Sequence, residues 1–476
     1  MSDISFKING SDDPKAAYIA WTPLPLTIIN NSKEPNLSLQ ITSKSHPGAI
    51  TQLVFMLEYG DAPSDEVTVD FGKDSEKTIY VAGKFQPGAK YNGASADRKD
   101  VTLQAHKAGS ADVMGKLDVM IRTRKNANEL TDKARKDFLN ALAKLNGIKV
   151  DDDTTPGAGK GIYVTDFTSV HVAGADKNEH GDSQFLPWHR LYVLDLERQL
   201  QQVNPAVTIP YWKFDEPAPN IFKSNFMGAM KTIPRETTEP GGEFDRGGAN
   251  TPNATFDAEN PLSKWQIGDV NGIPRTARFN PETEAGQGVD DLDMLTEAQT
   301  LALGGGLDDP TKAEFGEVQT KFASIQTTPH GAAHISFNGY INSIPVAPRD
   351  PLFFLIHCNV DRLWKKWQFI FERDQATDTK TYPYQTTTNV EGESVDPWKI
   401  VTATQWPWDG SLSYPGSLTP PGTRKENFTK SIAGSNFENN VPKIENCIDP
   451  YAYHAPENYL GFAYDDVPFS HSSNIA

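Results

Sequence analysis

The sequence contains very little cysteine, since Cys358 and Cys447 are its only two among 476 residues. Two thiols are too few for a disulfide framework or a four-cysteine zinc site. The chain also lacks an apolar run of about 18 residues, the length that a membrane-spanning helix needs. Its first residues lack the basic start and apolar run of a signal peptide. By default we therefore expect a cytoplasmic protein, and the sequence leaves open export together with a partner protein.

Basic residues are scarce relative to acidic ones, with 45 Lys and Arg against 62 Asp and Glu, and the net charge is −17. Such a charge repels polyanions, so we expect no nucleic acid and no membrane among the partners. Apolar and aromatic residues, in contrast, make up 37% and 10% of the chain. They can bury a large core, which excludes a wholly disordered chain. The length predicts two or three domains.

Residues 1–121 show the alternation of apolar and polar residues that is typical of short β-strands. The predicted strands are Ile4–Ile8, Leu24–Ile29, Leu37–Ile41, Gln52–Glu58, Val67–Phe71, Thr78–Val81, Val101–Ala105 and Lys116–Ile121. This spacing predicts an N-terminal all-β domain, either a sandwich or a barrel. Because the segment holds no cluster of histidines, cysteines or paired acids, we interpret it as a packing or assembly module.

The pattern becomes mainly helical from residue 122 onward. The apolar period over Thr131–Leu145 predicts a helix with Thr131 or Asp132 as its N-cap. Residues 375–445 are rich in Thr, Pro and Gly and predict an irregular belt over the core, whose Trp residues argue against a free linker. Residues 446–476 form a closing segment. The predicted fold class is therefore α+β and multidomain, with a mainly α domain over residues 122–476.

Six of the ten histidines fall into two groups of three, namely His171, His180 and His189, and His330, His334 and His357. His189 shares a helical face with apolar Val193, and His357 lies on the apolar face of a helix predicted to begin at Asp350. A lone histidine on such a face is more often a satisfied core residue than a ligand. Burying its ring without a partner costs about 1–3 kcal/mol.

His330 and His334 are four residues apart, a spacing that places two imidazoles on one helical face, where they can bind one metal. The zinc-protease pattern requires Glu directly after the first histidine, but Gly331 stands there. His171 and His180 lie in a polar segment predicted as a loop. Two sets of three imidazoles suit copper or zinc and leave a coordination position open. The lack of thiolate and carboxylate ligands favours two copper ions with dioxygen bridging them.

The sequence around these histidines resembles the tyrosinase and polyphenol oxidase family, the type-3 dicopper proteins, which also include catechol oxidases and molluscan hemocyanins. The segment Phe185–Arg190 resembles the first copper motif of the family. The segments Arg349–Phe354 and His357–Trp364 resemble the second. Two further segments, Ile209–Trp212 and Leu460–Asp465, resemble a short stretch after the first copper helix and a tyrosine motif that closes the catalytic domain.

The resemblance implies a four-helix bundle that holds two copper ions, one on each set of three histidines. It implies that Phe353 packs beside the copper-bound rings and that Asp361 and Arg362 are structural. It also implies a small phenol and O2 as reactants, with o-diphenols oxidised to o-quinones and monophenols ortho-hydroxylated. A catechol oxidase without monophenolase activity is the alternative, and a hemocyanin-like oxygen carrier and a zinc hydrolase are weaker rivals. Homo-oligomerisation and a copper-delivery partner are left open.

The sequence departs from the family pattern at the positions that bear on monophenols. Many tyrosinases carry a Glu and an Asn that hold a water proposed to deprotonate the monophenol. The matching positions here are Gln326 and Gly331, and Gln cannot accept a proton as Glu can. Glu317 is the nearest acid upstream. Ile344 stands where relatives have a gate residue, and its aliphatic side chain predicts a wider entrance than Phe would leave.

Overall fold

The computed structural model describes residues 3–14, 17–19, 23–49, 51–85, 99–148, 167–174, 179–233, 251–267, 270–288, 292–389, 391–409, 441–451, 453–454 and 460–467. Residues 410–440 of the predicted belt and residues 468–476 of the predicted closing segment lie outside this described part. None of the helices in these ranges combines the length and the hydropathy that a membrane span needs.

The N-terminal segment forms two β-sheets. One contains, in spatial order, β1 (Ile4–Ile8), β3 (Leu24–Asn30), β7 (Glu76–Phe85) and β5 (Thr51–Met56), all antiparallel. The other contains β2 (Tyr18–Ile19), β9 (Val113–Ile121), β8 (Val101–Lys107), β4 (Ser38–Ser45) and β6 (Val67–Asp70). In this second sheet only the β2–β9 pair is parallel.

The two sheets pack face to face because each strand buries alternate side chains. β1 and β8, for example, bury every second residue along their length. These inward residues from both sheets form one apolar cluster, which also includes Ala463 from the closing segment. The structure confirms the predicted strands and makes the module a sandwich rather than a barrel. It adds β2, whose two residues are too few to show alternation.

The helices follow in the second part of the chain. They are α1 (Asp132–Leu145), α2 (Ser169–Gly174), α3 (Phe185–Val203), α4 (Glu297–Ala302), α5 (Ala332–Ile335), α6 (Leu352–Phe371) and α7 (Ile444–Ile448). Two small antiparallel pairs join β10 (Gln266–Ile267) to β11 (Val270–Asn271) and β12 (Arg275–Ala277) to β13 (Phe337–Gly339). The predicted cap of α1 is confirmed, since the backbone N–H of Ala134 donates to the Thr131 side chain at 3.1 Å.

α3 is buried on all sides, whereas its sequence predicts a single apolar face. Every residue from Phe185 to Leu200 is buried. The polar residues on the far side are paired: Asp195 accepts a hydrogen bond from Trp408 at 2.9 Å, and Glu197 accepts one from Arg124 at 2.9 Å. A helix can lie in the interior with charged residues only when each charge has such a partner.

Asp361 of α6 ties the domain together, which confirms the structural role that the resemblance implied. Its carboxylate accepts hydrogen bonds from Arg124 at 3.0 Å, from Arg190 at 2.5 Å and from the Tyr464 hydroxyl at 2.5 Å. These partners come from the segment before α1, from α3 and from the closing segment. The carboxylate therefore joins four distant parts of the chain in a buried, hydrogen-bonded network.

The described parts of the belt between residues 375 and 443 contain only one short 3-10 turn, Pro397–Lys399, and isolated bridges. The belt is packed rather than free, because the Trp188 indole donates to the Trp406 carbonyl oxygen at 2.8 Å and Trp408 is buried. Its last two predicted residues belong instead to α7. The domain boundary between residues 121 and 122 stays a prediction.

Candidate metal centre

Five parts of the fold bring the six histidines together. α2 carries His171, the turn before α3 carries His180, and α3 itself carries His189. The segment that ends in α5 carries His330 and His334, and α6 carries His357. Within each group of three, the ligand nitrogens lie within 4.8 Å of one another. The two groups are those that the sequence predicted.

The local structure differs from the prediction at His171 and His330. His171 lies on the six-residue helix α2 rather than in a loop, because so short a helix leaves no periodic pattern to detect. His330 lies in a π-helical turn, Thr327–Gly331, that continues into the four residues of α5. Since only α3 and α6 are long among the ligand-bearing helices, the four-helix bundle stays a prediction.

Backbone carbonyls orient four of the imidazole rings through Nδ1. The accepting oxygens are those of Pro345 for His171 at 3.4 Å, Phe185 for His189 at 2.8 Å, Gln326 for His330 at 2.7 Å and Ile341 for His334 at 2.7 Å. A carbonyl oxygen only accepts, so each Nδ1 carries the hydrogen and each Nε2 keeps its lone pair. Metal-binding histidines typically donate their other ring N–H to a carbonyl or carboxylate oxygen in this way.

The Nε2 atoms of these four rings do not have ordinary hydrogen-bond partners. Those of His171 and His189 are buried and have no hydrogen-bond partner among the described residues. Those of His330 and His334 lie 3.2 and 3.3 Å from Nε2 of His357. Several buried acceptor nitrogens that face one another are costly unless a cation lies between them. The residues present therefore fit a metal ion in each group, and three neutral imidazoles suit copper.

Burial keeps these imidazoles in the neutral, metal-binding form. It lowers the pKa of His171 to about 3 and that of His334 to about 4. Burial, together with the neighbouring histidines, also holds the pKa of His189, His330 and His357 well below the ordinary value. A proton therefore does not compete with a metal for these nitrogens at neutral pH.

Two phenylalanine rings contact both histidine groups. Phe353 stacks on His357 with ring centroids 4.0 Å apart and meets His171 edge-on at 4.9 Å. Phe185 contacts both groups as well, with centroids 4.6 Å from His189 and 4.8 Å from His330. The sequence predicts the position of Phe353 beside the rings but not this role of Phe185. The position of Phe185, four residues before His189 on α3, is the sequence feature that could have predicted this contact.

A cavity of about 610 Å³ opens above the histidines. Its lining includes Gln326, Gly331, Ile344 and Phe353, the residues that the sequence predicted to shape the reaction, although their roles stay predictions. Ile344 is 56% exposed at the entrance. A Cβ on Gly331 would meet nothing closer than 3.8 Å, so the cavity is open there. Glu317 is exposed and does not belong to the lining.

Comparison with known proteins points to one family. Residues 162–370 match the sequence profile described as the common central domain of tyrosinase. Grixazone synthase from Streptomyces griseus subsp. griseus is 29% identical over 277 residues, which cover 52% of this chain and 85% of that protein. A tyrosinase from Hahella sp. (strain CCB-MM4) is 26% identical over 272 residues, so the match spans 52% of this chain and about half, 53%, of that relative.

Among solved structures, a functional unit of octopus hemocyanin aligns with a TM-score of 0.40 and 19% identity over 73% of this chain and 68% of the other. All six histidines of the two groups lie within the residues that the tyrosinase profile matches. The region of the chain that holds both histidine groups thus resembles the central domain of tyrosinases, which supports a place in the type-3 dicopper family.

Proposed function

We propose that this chain is a copper-dependent phenol oxidase that uses O2 to oxidise o-diphenols to o-quinones and to ortho-hydroxylate monophenols. The observation that carries the proposal is the position of the two histidine groups beneath a cavity of about 610 Å³, a size typical of small-molecule sites. In the first reaction, two o-diphenol molecules lose two electrons and two protons each, and one O2 becomes two water molecules.

Each group of histidines would hold one metal ion. One copper ion would be held by His171, His180 and His189, and the other by the second group: His330, His334 and His357. Bound copper supplies the reversible one-electron changes that let a closed-shell phenol react with O2. The protein supplies the ligand geometry, because carbonyl contacts fix the orientation of four of the rings.

The cavity wall supplies the approach for the phenol. Leu292, Ile335, Ile341 and Ile344 give it an apolar surface on which an aromatic ring can pack. Phe353 is buried against both histidine groups, since it is 1% exposed and its ring contacts His171 and His357. It therefore excludes water from its side of the imidazoles and leaves the reacting end of the substrate to face the imidazoles that line the cavity.

The alternative of a catechol oxidase is supported by the chemistry of the lining. No carboxylate occurs among the described residues that line the cavity, and Gln326 cannot take a proton from a monophenol. An o-diphenol is the more acidic substrate and depends less on such a base. A carrier that only binds O2 needs no cavity of this size, and a hydrolase lacks the required base at Gly331, so both rivals are less well supported.

Oxygen uptake by the copper-loaded protein tests the proposal. We expect uptake with 4-methylcatechol, and uptake with the matching monophenol, 4-methylphenol, after a lag that trace catechol removes. Uptake with the catechol alone would establish the catechol-oxidase alternative. Reversible oxygenation without turnover of either compound would overturn the proposal. The His189→Ala variant, which removes one predicted ligand, serves as the control for copper-dependent uptake.

A further inference from the structure

The chain leaves the sandwich through residues 122–126, which follow directly on β9 and are hydrogen-bonded to neighbours on two sides. On one side lies the segment that follows α3. There the Thr208 hydroxyl donates to the Thr123 carbonyl oxygen at 2.8 Å. The Tyr211 backbone N–H donates to the Lys125 carbonyl oxygen, also at 2.8 Å. The exit from the sandwich is therefore fixed to the segment beyond a helix that carries a proposed metal ligand.

Residues 460–467 of the closing segment lie along the other side. The Arg124 backbone N–H donates to the Ala463 carbonyl oxygen at 2.7 Å, and Arg124 and Tyr464 form a parallel β-bridge. The side chains of this segment alternate between two cores, as they do in a strand. Ala463 belongs to the apolar cluster of the sandwich, whereas Phe462 and Tyr464 belong to that of the helical part. Residues 460–467 therefore contact both cores at once.

The Arg124 side chain joins the two long helices that carry metal ligands. Its guanidinium is fully buried and donates to Glu197 of α3 at 2.9 Å and to Asp361 of α6 at 3.0 Å. Asp361 lies four residues, about one helical turn, after His357, and Glu197 lies eight residues after His189. Charge-assisted hydrogen bonds are short and directional. Arg124 therefore holds α3 and α6 together near both histidine groups.

These contacts predict that the sandwich and the helical part unfold together. If the sandwich opened alone, the hydrogen bonds of residues 122–126 would break and Ala463 would lose its apolar surroundings. Displacing Arg124 would also leave two buried carboxylates with one fewer counter-charge, which is strongly destabilising. Segments that open as one cooperative unit share a single opening free energy. A metal ion that binds only the folded unit raises that free energy throughout the unit.

We propose that residues 122–126 and 460–467 couple the sandwich to the metal centre, and that Arg124 is the positioning residue through which they act on α3 and α6. The sandwich is then a structural partner of both metal sites rather than a separate module. Because such coupling is reciprocal, metal binding stabilises the sandwich, and damage in the sandwich core destabilises the ligand helices. This coupling goes beyond the proposed function, since it concerns any metal that the six histidines bind.

Hydrogen exchange of the full chain, read by mass spectrometry, tests the first direction of the coupling. β3 and β7 are central strands of their sheet and contain no histidine that could bind copper directly. We expect copper loading of the metal-free protein to slow the slowest amides of β3 and β7 by about tenfold or more, as in α3 and α6. Slower exchange in α3 and α6 with unchanged exchange in β3 and β7 would overturn the coupling.

A cavity in the sandwich core tests the opposite direction in the metal-free protein. Leu103 lies on β8 and is fully buried among the apolar residues of the sandwich. Leu103→Ala should speed exchange in α3 and α6 by about tenfold or more, and by the same factor in β3 and β7. The control is Val113→Ala, at a site on β9 that is 48% exposed, which should leave exchange in all four elements nearly unchanged. Faster exchange in the strands alone would overturn the coupling.

Arg124→Lys tests the positioning role. Lysine keeps the charge, but it lacks the planar fork of donors that contacts both carboxylates. We expect the Kd for Cu(I), measured under nitrogen by competition with a chromophoric chelator, to rise about tenfold, because the ligand helices shift. Arg135→Lys, on α1, where the guanidinium donates to the Leu130 carbonyl oxygen at 2.9 Å, should leave the Kd unchanged. A lower free energy of unfolding of Arg124→Lys with an unchanged Kd would overturn the positioning role.

The two proposals fail separately, because none of these tests requires turnover. If copper protects β3 and β7 but no catechol is oxidised, the oxidase function is wrong and the coupling stands. If catechols are oxidised while the sandwich exchanges independently of copper, the coupling is wrong and the oxidase function stands. Should Arg124→Lys fail to fold, the exchange experiments on the wild type and on Leu103→Ala still decide the coupling.

Discussion

The imidazole rings of His189 and His357 stack with centroids 4.3 Å apart and planes 16° apart, so the two histidine groups touch directly. One ring comes from α3 and the other from α6, which pack against each other in the core. The contact makes the spacing of the two proposed metal sites a property of how these helices cross.

Replacing either stacked histidine should remove one metal and the activity. We expect His189→Ala and His357→Ala each to retain about one copper ion per chain after loading and dialysis, because a site with two imidazoles binds copper much more weakly than one with three. Metal analysis and oxygen uptake check this. His106→Ala, in β8 of the sandwich, is the control and should keep both metals. Full copper content in either site variant would contradict the ligand assignment.

Phe353 should matter to stability as well as to the site. It is 1% exposed and packs against His357, His171 and other rings. Phe353→Ala leaves a cavity and should lower the free energy of unfolding by about 3–5 kcal/mol. Ile370→Ala, on the same helix but 46% exposed, should cost about 1 kcal/mol or less. Denaturant unfolding of the two variants checks the difference, and similar losses would show that Phe353 is not a packing centre.

Asp361→Asn tests the buried network. The change leaves Arg124 and Arg190 with one fewer buried counter-charge, so we expect the free energy of unfolding to fall by about 3–5 kcal/mol. Asp74→Asn breaks an exposed pair with Lys77 and should cost about 1 kcal/mol or less. Urea unfolding of both proteins provides the comparison. If Asp361→Asn lowered the free energy of unfolding less than Asp74→Asn does, Asp361 would not be central to the buried network.

Glu297 should give the folded protein part of its pH dependence. Burial by itself raises the pKa of Glu297, but Arg362 and Lys366 outweigh burial and hold the pKa at about 2, below the ordinary 4.5. Its stabilisation is therefore complete above pH 4.5 and is lost as pH falls toward 2. Glu297→Gln should lower the free energy of unfolding by about 1–3 kcal/mol at pH 7.

The difference between Glu297→Gln and the wild type should be nearly the same when unfolding is measured at pH 7 and at pH 5, and should be smaller at pH 3.5. A difference that stays constant over this range would mean that the carboxylate is not preferentially charged in the folded state. Arg362 is the partner that keeps the Glu297 carboxylate charged, because its fully buried guanidinium donates to Glu297 at 2.5 Å.

Gln326→Glu should raise the rate on monophenols relative to diphenols. The variant places a carboxylate in the cavity wall, where it can accept the phenol proton. Because burial raises the pKa of a carboxyl group, the gain should increase with pH. The measurement is the lag and the steady rate of oxygen uptake with 4-methylphenol and 4-methylcatechol. Gln326→Leu, which adds no base, should show no gain, and an equal gain in both variants would refute the missing-base argument.

Short-range patterns account for the parts of the fold that could be predicted. The strands of the sandwich bury every second residue, so their alternation is visible without tertiary information. The cap at Thr131 follows from local hydrogen bonding for the same reason. β2 and α2 were not predicted, because elements of two and six residues are too short to show a periodic pattern of apolar residues.

Long-range contacts account for what could not be predicted. Composition alone predicts a solvent-exposed polar face for α3, yet its charged residues pair with Arg124, Asp361 and Trp408 from distant segments. Gln326 and Asn342 line the same cavity although they come from separate segments of the chain. No spacing along the chain encodes that proximity.

The sequence by itself determined the chemistry available to the site: six histidines in two groups, without cysteine or carboxylate ligands between them. The tertiary structure decided which nitrogen of His171 and of His334 faces the metal position. The Nδ1–H groups of these rings donate to the carbonyl oxygens of Pro345, far along the chain from His171, and of Ile341, in a turn beyond His334. Ligand identity is a property of a residue, but the direction of these two ligands depends on an acceptor outside their own helix, which the folded chain brings within hydrogen-bond distance.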